Sequence, residues 1–150
     1  MRRWLAACAV GLVLLVPACA ARTAPEDAAS SPEPDLAAEE ERLAAEVSGL
    51  EPVTDAEVRL RTGITHGRQV IIRATTASTV PAELTEVLAE VTRAGWNTAA
   101  FVPTEVRSQV IGPGGETLDP LDLGFPRRGA DSAGLFELFG PPAADEDWQP

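Results

Sequence analysis

The chain has 150 residues and a net charge of −11, with 12 basic residues against 23 acidic ones. An excess of acid on this scale argues against nucleic acid as a partner, because phosphate contacts need clustered cations. Two cysteines and one histidine leave little for a disulfide framework or a soft-metal site. Every cation is arginine, which, with abundant Ala, Gly and Pro, suits a high-GC coding bias of the actinobacterial kind.

The first element in chain order is a basic start, Arg2-Arg3, followed by an apolar run from Leu5 to Val16 and then Pro17-Ala18-Cys19. A basic end, a short apolar stretch and a small residue form an export signal. The run is shorter than the roughly 20 apolar residues that cross a bilayer. With cysteine at its end, the segment resembles a bacterial lipoprotein signal whose lipobox ends at Cys19. That resemblance implies cleavage after Ala18, a diacylglycerol thioether on Cys19 and, in many bacteria, acylation of the new amino terminus. Leu5-Ala6-Ala7-Cys8 is a closer literal lipobox, but no apolar segment precedes it. The alternative is an ordinary secretory signal, cut at a small-x-small site within Pro17–Ala21, and a freely secreted protein. Loss of residues 1–18 removes Arg2 and Arg3 and no acid, leaving 132 residues of net charge −13. Such a chain is expected to be repelled by anionic headgroups as a whole, so attachment falls to the lipid. Residues 19–34, rich in Ala, Pro, Ser and acid, read as a disordered tether.

Asp35 can cap a helix from Leu36 to Val47 that stops at Gly49, with acids near its start to suit the helix dipole. From Val53 the period changes to two. Ala56, Val58 and Leu60 alternate with Glu57, Arg59 and Arg61, and Val70, Ile72 and Ala74 alternate with Ile71, Arg73 and Thr75. With Thr62–Gly67 between them, these runs predict a β-hairpin. Ser78 or Thr79 can cap a helix with Pro81 in its first turn, core positions at Leu84, Val87, Leu88 and Val91, and an end at Gly95. Phe101–Ile111 reads as a strand, Gly112–Gly115 as a turn, and Glu116–Leu121 as a short edge strand. Leu123-Gly124-Phe125-Pro126 matches the four-letter core of the LGFP repeats of mycolic-acid bacteria but reads here as a turn. Asp131 can cap a short helix over Leu135–Phe139 whose aromatics dock on the core, and the tail Asp145-Glu146-Asp147-Trp148 is expected to be mobile.

The expected fold is α+β, a two-layer sandwich of order αββαββ with an antiparallel sheet of about four strands and helices on one face. The domain covers residues 35–126, and residues 127–150 form a C-terminal segment with a short helix and an acidic tail. The αββαβ order is similar to that of BON-type domains of bacterial envelope proteins. The similarity is one of element order and size, without the glycine-centred pattern of those sequences.

No catalytic or metal site and no cofactor are expected. His66, between Thr65 and Gly67 in the hairpin loop, has no second histidine beside it and reads as a solvated turn residue. No G-x-S-x-G or S-x-x-K is present. Glu39-Glu40-Glu41 and Asp145-Glu146-Asp147 lack the spaced oxygen ligands of a calcium loop and read as solubilising charge. Gly112-Pro113-Gly114-Gly115 has no lysine and no helix after it, which makes it a turn and not a phosphate loop. What stands out is a candidate binding face of Arg59, Arg61, Arg73 and Arg107 on the polar side of the strands, near Glu57 and Glu105. Arginines so placed can hold a carboxylate, a phosphate or an acidic partner, or can pair with the two glutamates and do no more. The expected function is that of a lipid-anchored, non-enzymatic contact domain on the outer side of the cytoplasmic membrane. Its partner would be an envelope protein or polymer, met through the arginine face and the Leu135–Phe139 segment. The alternatives are a module for a small anionic ligand and, third, an enzyme whose carboxylates meet only on folding.

Overall fold

The structure is a computed structural model and describes residues 35–150. The expected signal segment, Ala18, Cys19 and the residues before Asp35 lie outside the described residues. Helix α1 (Leu36–Ser48) begins at Asp35, whose carboxylate accepts the Ala38 N–H, and ends at Gly49. The hairpin follows as β1 (Val53–Gly63) and β2 (Gly67–Thr76), paired antiparallel. Helix α2 (Pro81–Trp96) leads to β3 (Glu105–Ile111), the short β4 (Thr117–Leu118), a 3-10 turn at Pro120–Leu123, β5 (Ala130–Asp131) and α3 (Ser132–Phe139). Among the described residues no helix is long and apolar enough to cross a membrane.

The class is α+β with an open sheet, and α1 and α2 lie on one face of it, α1 over β1 and α2 over β2 and β3. The sheet is mixed where a wholly antiparallel one was expected. Its order is β1-β2-β3-β4, β5 also pairs with β3, and the β2–β3 pair is parallel. The reason is α2: a full helix between the two strands carries the chain back to the end where β2 began, so β3 runs in the same direction.

Under the helices the even positions of the strands close the core. Val58, Leu60, Val70, Ile72, Val106 and Val110 meet Leu43 and Val47 of α1 and Leu84, Leu88 and Val91 of α2. Thr92 and Ser108 are buried among them and hydrogen-bonded to each other. Gly95 lies inside α2, where a Cβ would stand 2.9 Å from Val106 Cγ1 and 3.0 Å from Ile72 Cδ1. Glycine there lets the helix approach the sheet closely.

Several boundaries differ from the sequence reading for identifiable reasons. Val80, not Ser78 or Thr79, is the cap of α2. Pro81, at the first helical position, has no N–H to satisfy, and Val80 makes no side-chain cap hydrogen bond. Ser78 Oγ instead accepts the Val80 N–H and donates to Glu83 at 2.5 Å. Strand β3 starts at Glu105, after Pro103, and β4 stops where Asp119 caps the turn that Pro120 begins. The tail is not free: Trp148 packs edge-on against Trp96, ring centroids 5.5 Å apart, and against Phe136 at 5.8 Å. Helix α3 starts at Asp131 as expected and buries Leu135, while Phe139 lies under the Arg93 guanidinium at 5.2 Å.

The acidic run of α1 does more than solubilise. Glu39 Oε1 accepts the Thr98 hydroxyl at 2.8 Å and the Ala99 N–H at 2.7 Å, and its Oε2 accepts Arg42 Nε at 2.8 Å. The Arg42 hydrogen bond is the main reason that its pKa is drawn down from 4.5 to about 2, against the opposing effect of burial. A carboxyl depressed on folding stabilises the fold above its unfolded pKa, and that stability is lost as pH falls from about 5 towards 2. Hydrogen bonds to a charged group of this kind contribute about 2 kcal/mol. Urea unfolding of Glu39→Gln is expected to show about that loss at pH 7 and a much smaller difference from wild type at pH 3. An equal loss at both pH values would contradict the assignment. Glu40 Oε1 accepts the Leu60 N–H at 2.6 Å, so α1 also satisfies a donor on the outer edge of β1.

Candidate basic binding face

The face of the sheet away from α1 and α2 is built from the odd positions of β1 to β3, because side chains alternate along a strand. The register places them in rows across the three strands: Glu57–Arg73–Gln109, then Arg59–Ile71–Arg107, then Arg61–Gln69–Glu105. Arg59 and Arg107 therefore flank Ile71 from the two neighbouring strands, about 10 Å apart at the backbone. Arg73 stands one row away on the strand of Ile71.

These three arginines line an open hollow of about 420 Å3 over Ile71. A fourth, Arg128, joins them from the loop before β5 and is paired with Asp119 at 3.2 Å. The lining holds four guanidinium groups and the carboxylates of Glu57 and Asp119, and Arg59 and Arg107 have further carboxylate partners, Glu40 and Glu105, outside it. Arg61 lies in the next row towards the hairpin end and is not part of the lining.

No ion pair on this face joins neighbouring strands. Arg59 pairs with Glu57 at 3.3 Å and with Glu40 at 3.8 Å, and Arg107 with Glu105 at 3.0 Å. Glu57 is opposite Arg73 in register, yet its carboxylate goes to Arg59. Arg73 keeps one hydrogen bond, from Nε to Gln109 Oε1 at 3.1 Å, and has no carboxylate within ion-pair distance among the described residues. Pairs this exposed contribute about 0–1 kcal/mol each, so an incoming anion can replace them at little cost. The chemistry available is charge-assisted hydrogen bonding to carboxylate or phosphate oxygens.

The second expected contact surface is mostly committed to the fold. Leu135, Phe136 and Phe139 pack inwards, and Leu138 is the large side chain of α3 left exposed. His66 is exposed in the hairpin turn. Among the described residues, no three His, Cys, Asp or Glu side chains come together as metal ligands would. Nothing in the local sequence marks Arg128 as part of this face. Its place depends on how the loop after β4 returns to pair with β3, which no local pattern reports. No family model, curated protein or solved structure matches the chain.

Proposed function

We propose that this protein is a non-enzymatic contact module of the cell envelope, held to the outer side of the cytoplasmic membrane by lipid on Cys19. It meets an acidic envelope protein or an anionic polymer through its open sheet face. What supports this reading is the hollow over Ile71, where Arg59, Arg73, Arg107 and Arg128 converge and Arg73 has no acidic partner among the described residues. Arginine is suited to such a contact because its planar fork binds carboxylate or phosphate through two parallel hydrogen bonds. The concave shape of the same hollow favours a second reading, a module for a small anionic ligand.

Replacing Arg59, Arg73 and Arg107 together by alanine is expected to leave the melting temperature nearly unchanged, since exposed positions alter stability by about 0.5 kcal/mol or less. Capture of polyglutamate or inorganic polyphosphate, measured by titration, should fall at least about tenfold, the loss of one or two charge-assisted hydrogen bonds. Unchanged capture would remove the face from the account. Stabilisation by phosphate or citrate alone, lost in the triple variant, would favour the small-ligand reading.

A further inference from the structure

The hairpin between β1 and β2 ends in a tip that the fold does not use. Ile64 is fully exposed there, at the apex of Gly63-Ile64-Thr65-His66-Gly67. Arg61 and Arg68 stand on the two sides of the tip, both exposed and with no carboxylate partner among the described residues. The base of the tip is held firmly. Thr104 Oγ1 accepts the Arg68 N–H at 3.0 Å and donates to the Arg68 carbonyl at 3.0 Å, and the Thr104 N–H donates to the same carbonyl at 2.8 Å. Gly67 adopts φ 66°, and a side chain there would run into Thr104 at 2.6 Å. The result is a fixed projection with an apolar point and basic flanks.

The tip is also at the end of the domain where the chain enters. The C-terminus of α1 adjoins the start of β1, since the Val53 N–H donates to the Leu50 carbonyl, while Glu40 near the start of α1 reaches Leu60 near the end of β1. The two elements therefore run antiparallel. Asp35 lies about 8 Å of helix beyond Glu40, and Ile64 about 13 Å of strand beyond Leu60. Entry point and tip are thus within about 10 Å of each other along the strand direction.

From this arrangement we infer that the β1–β2 tip is a membrane-contact point, with Ile64 entering the interface of an anionic bilayer and Arg61 and Arg68 on its headgroups. The inference rests on reading Cys19 as lipidated, which puts a bilayer at the end where Asp35 enters. Sixteen residues from Cys19 to Asp35 reach at most about 55 Å, enough for the tip to meet the surface. Of the carboxylates near this end, Glu105 is held by Gln69 and Arg107, Asp131 by the Gly134 N–H and Arg127, Asp35 by the Ala38 N–H, Glu39 by Arg42 and Glu40 by the Leu60 N–H, while Glu41 is exposed. Repulsion of the acidic body then favours the orientation that presents the tip, and apolar burial with cationic flanks is the usual chemistry of interfacial attachment. In that orientation the strands point at the membrane and the arginine face remains open to a partner.

Residues 35–150 hold the whole described core and no cysteine, so an N-terminal hexahistidine tag on a nickel-chelating lipid can replace the Cys19 anchor in the test. That chain is labelled with an environment-sensitive nitrobenzoxadiazole dye at Thr65→Cys, or at Glu51→Cys in the α1–β1 turn at the opposite end. It is bound through that tag to phosphatidylcholine vesicles with and without phosphatidylglycerol. Emission is expected to rise and shift to the blue at position 65, only with phosphatidylglycerol, and not at position 51. Ile64→Ser should lower the ratio of inserted to free tip, read from the emission at position 65, about tenfold or more, and Arg61→Ala with Arg68→Ala should remove the dependence on phosphatidylglycerol. Circular dichroism of each variant confirms its fold. No response at 65, equal responses at 65 and 51, equal responses with both vesicles, or an unchanged Ile64→Ser variant would each overturn the inference.

Discussion

Trp96→Ala is expected to cost about 3–5 kcal/mol, the range for deleting a fully buried large aromatic side chain. Trp96 is the largest fully buried side chain of the domain, at the last residue of α2, and three interactions meet on it. Its ring fills space beneath the helix layer. Its Nε1–H donates to the Gly140 carbonyl at 2.9 Å, which ties the end of α3 to the core. Its edge-on contact with Trp148 brings the tail back onto the domain. Trp148→Ala, at a half-buried position, should cost about 1–2 kcal/mol and free the tail to proteolysis without unfolding the sheet. Urea unfolding of the two variants measures both values. A loss below about 1 kcal/mol for Trp96→Ala, outside the range for buried aromatics, would show that the C-terminal segment does not close the core in this way.

Gly95→Leu is expected to be nearly as damaging, by about 3 kcal/mol or more, through overpacking and displacement of α2. A Cβ alone would come 2.9 Å from Val106, 3.0 Å from Ile72 and 3.3 Å from Val70, all core side chains on the two strands beneath the helix. The neighbours on both strands are fixed by the sheet, so a leucine has no free volume to enter. Gly95→Ala calibrates the effect. Alanine gains about 1 kcal/mol in helix propensity over glycine, which partly offsets the crowding, so its net change should be much smaller. Thermal unfolding of both variants distinguishes crowding from propensity: a leucine variant as stable as the alanine one would mean that α2 does not lie so close to the sheet.

Local pattern reported which face of each element is buried, and little about which element is its neighbour. The alternation through Val58, Leu60, Val70 and Ile72 and the helical spacing of Leu84, Val87, Leu88 and Val91 correctly predicted the inner faces. Asp35 and Asp131 were legible as caps because a short acceptor before an apolar run satisfies a helix N-terminus wherever the helix sits. The direction of β3 was not legible, since a period of two is the same in parallel and antiparallel pairs. Nor was β5, whose two residues carry no period. Arg59, Arg73 and Arg107 were legible as one face by parity, but the exclusion of Arg61 and the arrival of Arg128 depend on the register and on a long loop. Glu39 looked like solvating charge because its partners, Thr98 and Ala99, are some 60 residues away.

The measurement that bears most directly on the envelope-bound account is the intact mass of the protein taken from its native membrane fraction, beside a Cys19→Ala variant. The account predicts a wild-type chain that begins at Cys19 and carries the added mass of a diacylglycerol, absent from the variant. A chain that begins at another residue and carries no lipid would contradict it, leaving a freely secreted domain with an arginine face and no membrane to orient it.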